Sequence, residues 1–190
     1  MGQATARWYT LANLITLARA ALALPAAAGL LFGHPGVALA AFTAAVVTDL
    51  LDGAVARRRG ESTALGGLLD HGTDAGFVTL VLAAAAAKGL TPWAIPLLIL
   101  LAFLQYTLDS RVLAGRPLRA SRLGRWNGIA YYALAGAGVV VATLKLPRHA
   151  AWPDTGIMVA GWLLCATTVA SMTDRAVAYW RGRDARDQAR

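Results

Sequence analysis

Asp49-Leu50-Leu51-Asp52-Gly53-Ala54-Val55-Ala56-Arg57, and after eight further residues Gly66-Gly67-Leu68-Leu69-Asp70-His71-Gly72-Thr73-Asp74, set four carboxylates at the ends of two long apolar runs. On a helix, Asp49, Asp52, Gly53 and Ala56 fall at i, i+3, i+4 and i+7 and share one face. Gly66, Asp70 and Asp74 fall at i, i+4 and i+8 and share another. The short connection between the halves makes the two helices antiparallel neighbours, so the four carboxylates can converge at one depth. An ionised carboxylate costs about 2.5–3.5 kcal/mol at the centre of a membrane-spanning helix. Four in one place therefore need a physical reason.

The runs around this stretch decide the fold class. Of the 190 residues, 57% are hydrophobic and 15% charged, and the mean hydropathy is +0.53; a soluble domain carries about 25% charged residues. The apolar residues gather in stretches long enough to cross a bilayer, which takes about 20 helical residues. Six spans are expected: Leu11–Phe32, Val37–Arg58, Leu65–Ala87, Thr91–Leu113, Leu123–Leu144 and Gly156–Trp180. Gly and Pro punctuate the gaps, as in Gly33-His34-Pro35-Gly36 and Thr91-Pro92. Residues 2–10, with Arg7, Trp8 and Tyr9, read as a short interfacial segment, and no cleavable signal peptide is expected. The sequence thus reads as an all-α integral membrane protein, one domain over residues 1–190, built as a bundle of six transmembrane helices.

The net charge of +8 follows the same layout. With six spans, Arg7, Arg57, Arg58, Arg59, Arg111, Arg116, Arg119, Arg122, Arg125, Arg181, Arg183, Arg186 and Arg190 fall on one side. Lys88, Lys145 and Arg148 fall on the other. That bias of thirteen to three places the arginine-rich side, and the carboxylates with it, at the cytoplasmic face of the cell membrane. The same arginines meet anionic lipid headgroups. No nucleic-acid-binding motif accompanies the charge, so nucleic acid is not an expected partner. Cys165, the single cysteine, lies inside an apolar run and excludes an intramolecular disulfide.

Converging carboxylates repel one another unless cations neutralise them, and oxygen-only ligands suit Mg²⁺, Mn²⁺ or Ca²⁺. Gly53, Gly66 and Ala56 leave an open floor where a bulky ligand can lie against backbone. Arg57 at the rim suits a phosphate oxygen. Metal, arginine and groove together point to phosphoryl chemistry, in which positioning and charge neutralisation supply most of the catalysis. A single aspartate at a span end is ordinarily a solvated cap; four on facing helices with small residues interleaved are not.

These residues resemble the signature of the CDP-alcohol phosphotransferase family, D-x2-D-G-x2-A-R-x8-G-x3-D-x3-D. Asp49, Asp52, Gly53, Ala56, Arg57, Gly66, Asp70 and Asp74 fill its eight positions at the right spacing. The resemblance implies that Asp49, Asp52, Asp70 and Asp74 ligate Mg²⁺ or Mn²⁺, two ions per active site. It implies that Asp74 also takes the acceptor's proton, as the catalytic base. Gly53, Ala56 and Gly66 would shape the cytidine diphosphate groove, with Arg57 on the diphosphate. An acceptor hydroxyl would attack the donor phosphorus and release CMP, in phospholipid biosynthesis, and family members are typically homodimers.

Many bacterial relatives pair CDP-diacylglycerol with a small polar acceptor such as glycerol phosphate or inositol phosphate, which is the leading expectation. Phosphatidylglycerophosphate synthases usually show Pro after the third Asp and Lys after the fourth, where this chain has His71 and Ala75. Asp70-His71-Gly72-Thr73-Asp74 is locally similar to choline and ethanolamine phosphotransferases. The alternative is therefore a CDP-aminoalcohol donor with diacylglycerol as acceptor.

Secondary candidates lie nearby. Asn13, Thr16 and Arg19 match the N-x2-T-x2-R run of many relatives; Asn13 can reach the CDP donor, or the run can serve interhelical hydrogen bonding. Asp109, Arg111, Arg116, Arg119, Arg122 and Arg125 are candidate acceptor-binding residues, although topology and anionic lipid account for most such clusters. His71 reads as a hydrogen-bonded helix histidine. The Gly29/Gly33 pair, Gly136 and Gly138 read as close-packing positions. Two other classes compete: a membrane prenyltransferase, whose motifs usually show other Asp spacings on a larger bundle, and a cation transporter, which would continue acidic groups across the membrane.

Overall fold

A computed structural model of the chain describes residues 11–59, 64–109, 122–144 and 152–187, and side chains over 16–50, 67–108, 122–144 and 153–178. Among the described residues there are six helices and no strand: α1 Leu11–Leu31, α2 Pro35–Arg59, α3 Ala64–Ala87, α4 Ala94–Asp109, α5 Arg122–Leu144 and α6 Trp152–Asp187. The expected interfacial segment 2–10 and the loop around 114–121 lie outside the described residues.

The helix ends follow from local chemistry. Gly33 and Gly89 both adopt the left-handed region, at φ 75° and 76°. Each closes its helix with a bond reaching back five residues, His34 N–H to Gly29 C=O at 2.8 Å and Leu90 N–H to Ala85 C=O at 3.0 Å. This is the Schellman stop that glycine permits at low cost. Gly33 thus serves the turn: a side chain there would meet nothing within 4 Å, so the close-packing role expected for it falls to Gly29 alone. Pro35 then opens α2, where a missing N–H costs nothing, so the expected four-residue turn is shorter by its last two residues. Asp154 lies in the first turn of α6, where a negative charge complements the helix dipole.

Small residues set the packing. Ala23, Ala26 and Ala27 of α1 and Ala38, Ala41 and Ala45 of α2 are all buried, and the two helices pack against each other. A Cβ on Gly29 would come within 2.6 Å of the Ala38 nitrogen. Two helix backbones approach that closely only over small side chains. α3 is central and packs against α1, α4 and α5, with Phe77, Val78, Val81 and Leu82 buried along it. α6 closes the bundle against α4 and α5.

The outer surface is the inverse of a soluble protein's. Leu24, Leu97, Leu101, Leu104, Leu108, Trp126 and Leu163 each expose more than half of their surface. Exposed large apolar side chains in this number suit a surface that faces lipid or another protein. Two described stretches, Arg122–Leu144 and Pro153–Ala178, are long and apolar enough to cross a membrane. Thr16–Leu31, Pro35–Leu50 and Ala94–Leu108 are shorter apolar helices. α4 begins three residues after Thr91, and its expected C-terminal end at Leu113 lies outside the described residues. α6 runs past the expected Trp180 to Asp187, and its 36 residues reach about 54 Å at 1.5 Å each, more than a bilayer core needs.

Candidate active site

The carboxylates converge, and a third helix joins them. Asp49 comes from the second half of α2, Asp70 and Asp74 from the first half of α3. Ligand oxygens of the three lie within 4.8 Å of one another. Arg19, from the buried face of α1, reaches between the two helices. One guanidinium nitrogen bonds Asp49 and the other Asp70, and Asp74 lies 3.3 Å from the second. The Arg19 side chain is fully buried, whereas the aspartate side chains keep 31–41% of their surface exposed. The cation thus sits beneath and the carboxylates open outward. α1 packs along both α2 and α3, so convergence rests on three helices where the sequence pointed to two.

Asp74 has a further partner. The Tyr132 hydroxyl on α5 donates to it at 2.9 Å. That tyrosine is held by rings: stacked on Phe77 at 5.9 Å between centroids, and tilted against Phe42 at 6.4 Å. A ring fixed on both sides orients its hydroxyl without losing further side-chain freedom. Asp74 therefore carries supports from α1 and α5 besides its own helix.

Beside the carboxylates a cavity of about 590 Å³ opens among α3, α4, α5 and α6, with Asp49 and Asp74 in its lining. Its walls are largely apolar, with Ala75, Val78, Ile99, Ala102, Phe103 and Ile129 among them. Polar groups are few and specific. His71 stacks on Tyr106 at 5.6 Å, and the Arg175 guanidinium lies 4.6 Å over the same tyrosine ring, a cation–π geometry. Arg125 lines the cavity as well. Asn127 is buried, and its side-chain nitrogen has no hydrogen-bond partner among the described residues. Mostly apolar walls with a few convergent polar groups are typical of ligand sites.

The donor set fits a divalent cation. It is all carboxylate oxygen, the choice of hard ions. The three described aspartates bring three negative charges and Arg19 offsets one, which leaves two for a bound cation to neutralise.

The other sequence candidates divide. The side chains of Asp52, Gly53, Ala56, Arg57, Gly66, Asn13 and Asp109 lie outside the described residues, and so do Arg111, Arg116 and Arg119 entirely. Arg122 is exposed on the first turn of α5 and is not among the cavity's lining residues, whereas Arg125 is. His71 stacks on a ring where a hydrogen bond was expected. Arg19, read from the sequence within a run serving the donor or interhelical hydrogen bonding, makes interhelical bonds to Asp49 and Asp70; Tyr132 and Arg175 carried no assignment to the site. Arg19 and Arg175 were visible as charges inside apolar runs, a signal in itself, but Tyr132 looked like any aromatic in a span.

A sequence model of the CDP-alcohol phosphatidyltransferase family matches residues 9–174. No curated protein and no solved structure matches the chain significantly.

Proposed function

The chain belongs to the CDP-alcohol phosphatidyltransferase family and is a membrane-associated transferase of substituted phosphate groups; from that premise we propose a metal-dependent transfer from CDP-diacylglycerol to a small polar alcohol such as glycerol phosphate or inositol phosphate. The observation that carries this is the meeting of Asp49, Asp70 and Asp74 within 4.8 Å beside a cavity. Asp49, Asp52, Asp70 and Asp74 would hold Mg²⁺ or Mn²⁺, two ions per site. Bound there, such ions neutralise the diphosphate and stabilise the leaving phosphate of CMP.

The chain's own groups do the rest. The acceptor enters the cavity and brings its hydroxyl to Asp74, which Tyr132 and Arg19 hold in place. Asp74 takes the hydroxyl proton as the acceptor oxygen bonds to the donor phosphorus. The bond from that phosphorus to the CMP oxygen breaks, and the electron pair leaves with CMP. Gly53, Ala56 and Gly66 form the floor for cytidine diphosphate, Arg57 meets its phosphates, and Asn13 reaches the donor from α1. Asp109, Arg111, Arg116, Arg119, Arg122 and Arg125 serve the acceptor, and Arg125 has the support of lining the cavity. The protein works in the cell membrane as a homodimer of one six-span domain per chain, its active site at the cytoplasmic face. The outward leucines and tryptophans support the bundle, and the arginine bias supports the orientation.

The apolar cavity walls favour a second assignment, a CDP-aminoalcohol donor with diacylglycerol as acceptor, whose hydrocarbon would lie along Val78, Ile99, Phe103 and Ile129. Purified protein given each donor with each acceptor separates the two. Lipid product from CDP-diacylglycerol with a phosphorylated polyol supports the first. Product only from a CDP-aminoalcohol with diacylglycerol replaces it with the second, and no product with any pair refutes both.

A further inference from the structure

In the chemistry above Arg19 only helps to hold Asp74, yet it pairs with Asp49 and Asp70 as well. It is a fully buried arginine, and a guanidinium persists in such a place only when its charge is paired. Its bonds have a direction. One guanidinium nitrogen points to Asp49 on α2, the other to Asp70 and Asp74 on α3. In each aspartate it is the Oδ1 atom that faces Arg19, and Oδ1 of Asp74 also accepts from Tyr132. The Oδ2 atoms make no hydrogen bond among the described residues. Each carboxylate is thus tied from beneath by one oxygen while the other is left over, and the three side chains stay 31–41% exposed on the open side.

We propose that Arg19 is a positioning residue: its planar fork ties Asp49, Asp70 and Asp74 by one oxygen each and so presents their second oxygens to the divalent cation. This rests on the metal-dependent assignment of the site. The guanidinium suits the task because its donors are spread in a fixed plane, whereas a lysine ammonium is a compact point charge with rotatable donors that imposes no such geometry. Partners that orient metal ligands from behind typically contribute about 10–100-fold to metal affinity. The sign of the effect makes the role testable. If Arg19 acted only through its positive charge it would repel a cation, and removing it would tighten metal binding. If it positions the ligands, removing it weakens binding.

The test is Mn²⁺ affinity, read from the free-ion electron paramagnetic resonance signal on titrating detergent-purified wild type, Arg19→Gln and Arg19→Lys. Size-exclusion elution at the wild-type position establishes that each variant is folded. Arg19→Gln is expected to bind Mn²⁺ about 10–100-fold more weakly. Arg19→Lys is expected to remain weakened, since it keeps the charge and loses the fork; it carries the test if the glutamine variant does not elute as folded. Unchanged or tighter binding in Arg19→Gln, or full affinity in Arg19→Lys, overturns the positioning role while leaving the metal site standing. Wild type that binds no Mn²⁺ refutes the metal-dependent assignment itself, and this role with it.

Discussion

Replacing Asp74 by Asn separates holding the site from doing the chemistry. The amide keeps the size of the carboxylate and one oxygen that can still accept from Tyr132, now 2.9 Å away. It loses one of three described negative charges and the ability to take a proton. The Arg19 bonds to Asp49 and Asp70 are untouched, so the frame of the site persists. The loss should therefore fall on turnover, by about 10²–10⁴-fold for a missing general base, which is about 3–5 kcal/mol at 1.36 kcal/mol per decade. Donor binding should fall far less. Calorimetry with a CDP donor follows binding, and CMP release follows turnover. Asp49→Asn is the control: it should lose metal affinity first and recover in part at high Mg²⁺. If Asp74→Asn turns over near the wild-type rate, Asp74 is not the base; if high Mg²⁺ restores both variants equally, the division of roles is wrong.

Three other outcomes are expected. Gly161→Ala should lower the unfolding midpoint in detergent, by about 1–3 kcal/mol of overpacking, because its Cβ would sit 2.5 Å from the Pro92 ring and press α6 off the α3–α4 turn; an unchanged midpoint would show that α6 does not pack there. Gly53→Leu should abolish donor binding and leave folding intact, and unaltered donor affinity would put the groove elsewhere. A cysteine placed by Glu61→Cys should resist membrane-impermeant labelling from outside the cell, whereas modification from outside would invert the orientation drawn from the arginines.

The helices and their stops were legible in the sequence because apolar length and Gly-Pro punctuation are local properties. So was the meeting of Asp49, Asp70 and Asp74, though the sequence made α2 and α3 direct neighbours, whereas among the described residues α1 packs against both and joins them. Arg19 was visible as a charge in a span, but its target was not. Which helix α1 lies against depends on the alanine faces of α1 and α2 meeting, a long-range outcome. Tyr132 gave still less, because its hydroxyl reaches Asp74 only through the stacking of Phe77 and Phe42 from two other helices. Gly33 was misassigned for a similar reason: a helix-stop glycine and a packing glycine look alike until φ is known.

CMP release from CDP-diacylglycerol by the purified protein, measured in EDTA and again after Mg²⁺ is restored, tests the central claim most directly. On the proposed mechanism the four aspartates hold the diphosphate only through a hard cation. Release should be absent in EDTA and return with Mg²⁺ in the presence of a polar acceptor. Full release in metal-free buffer would contradict the account.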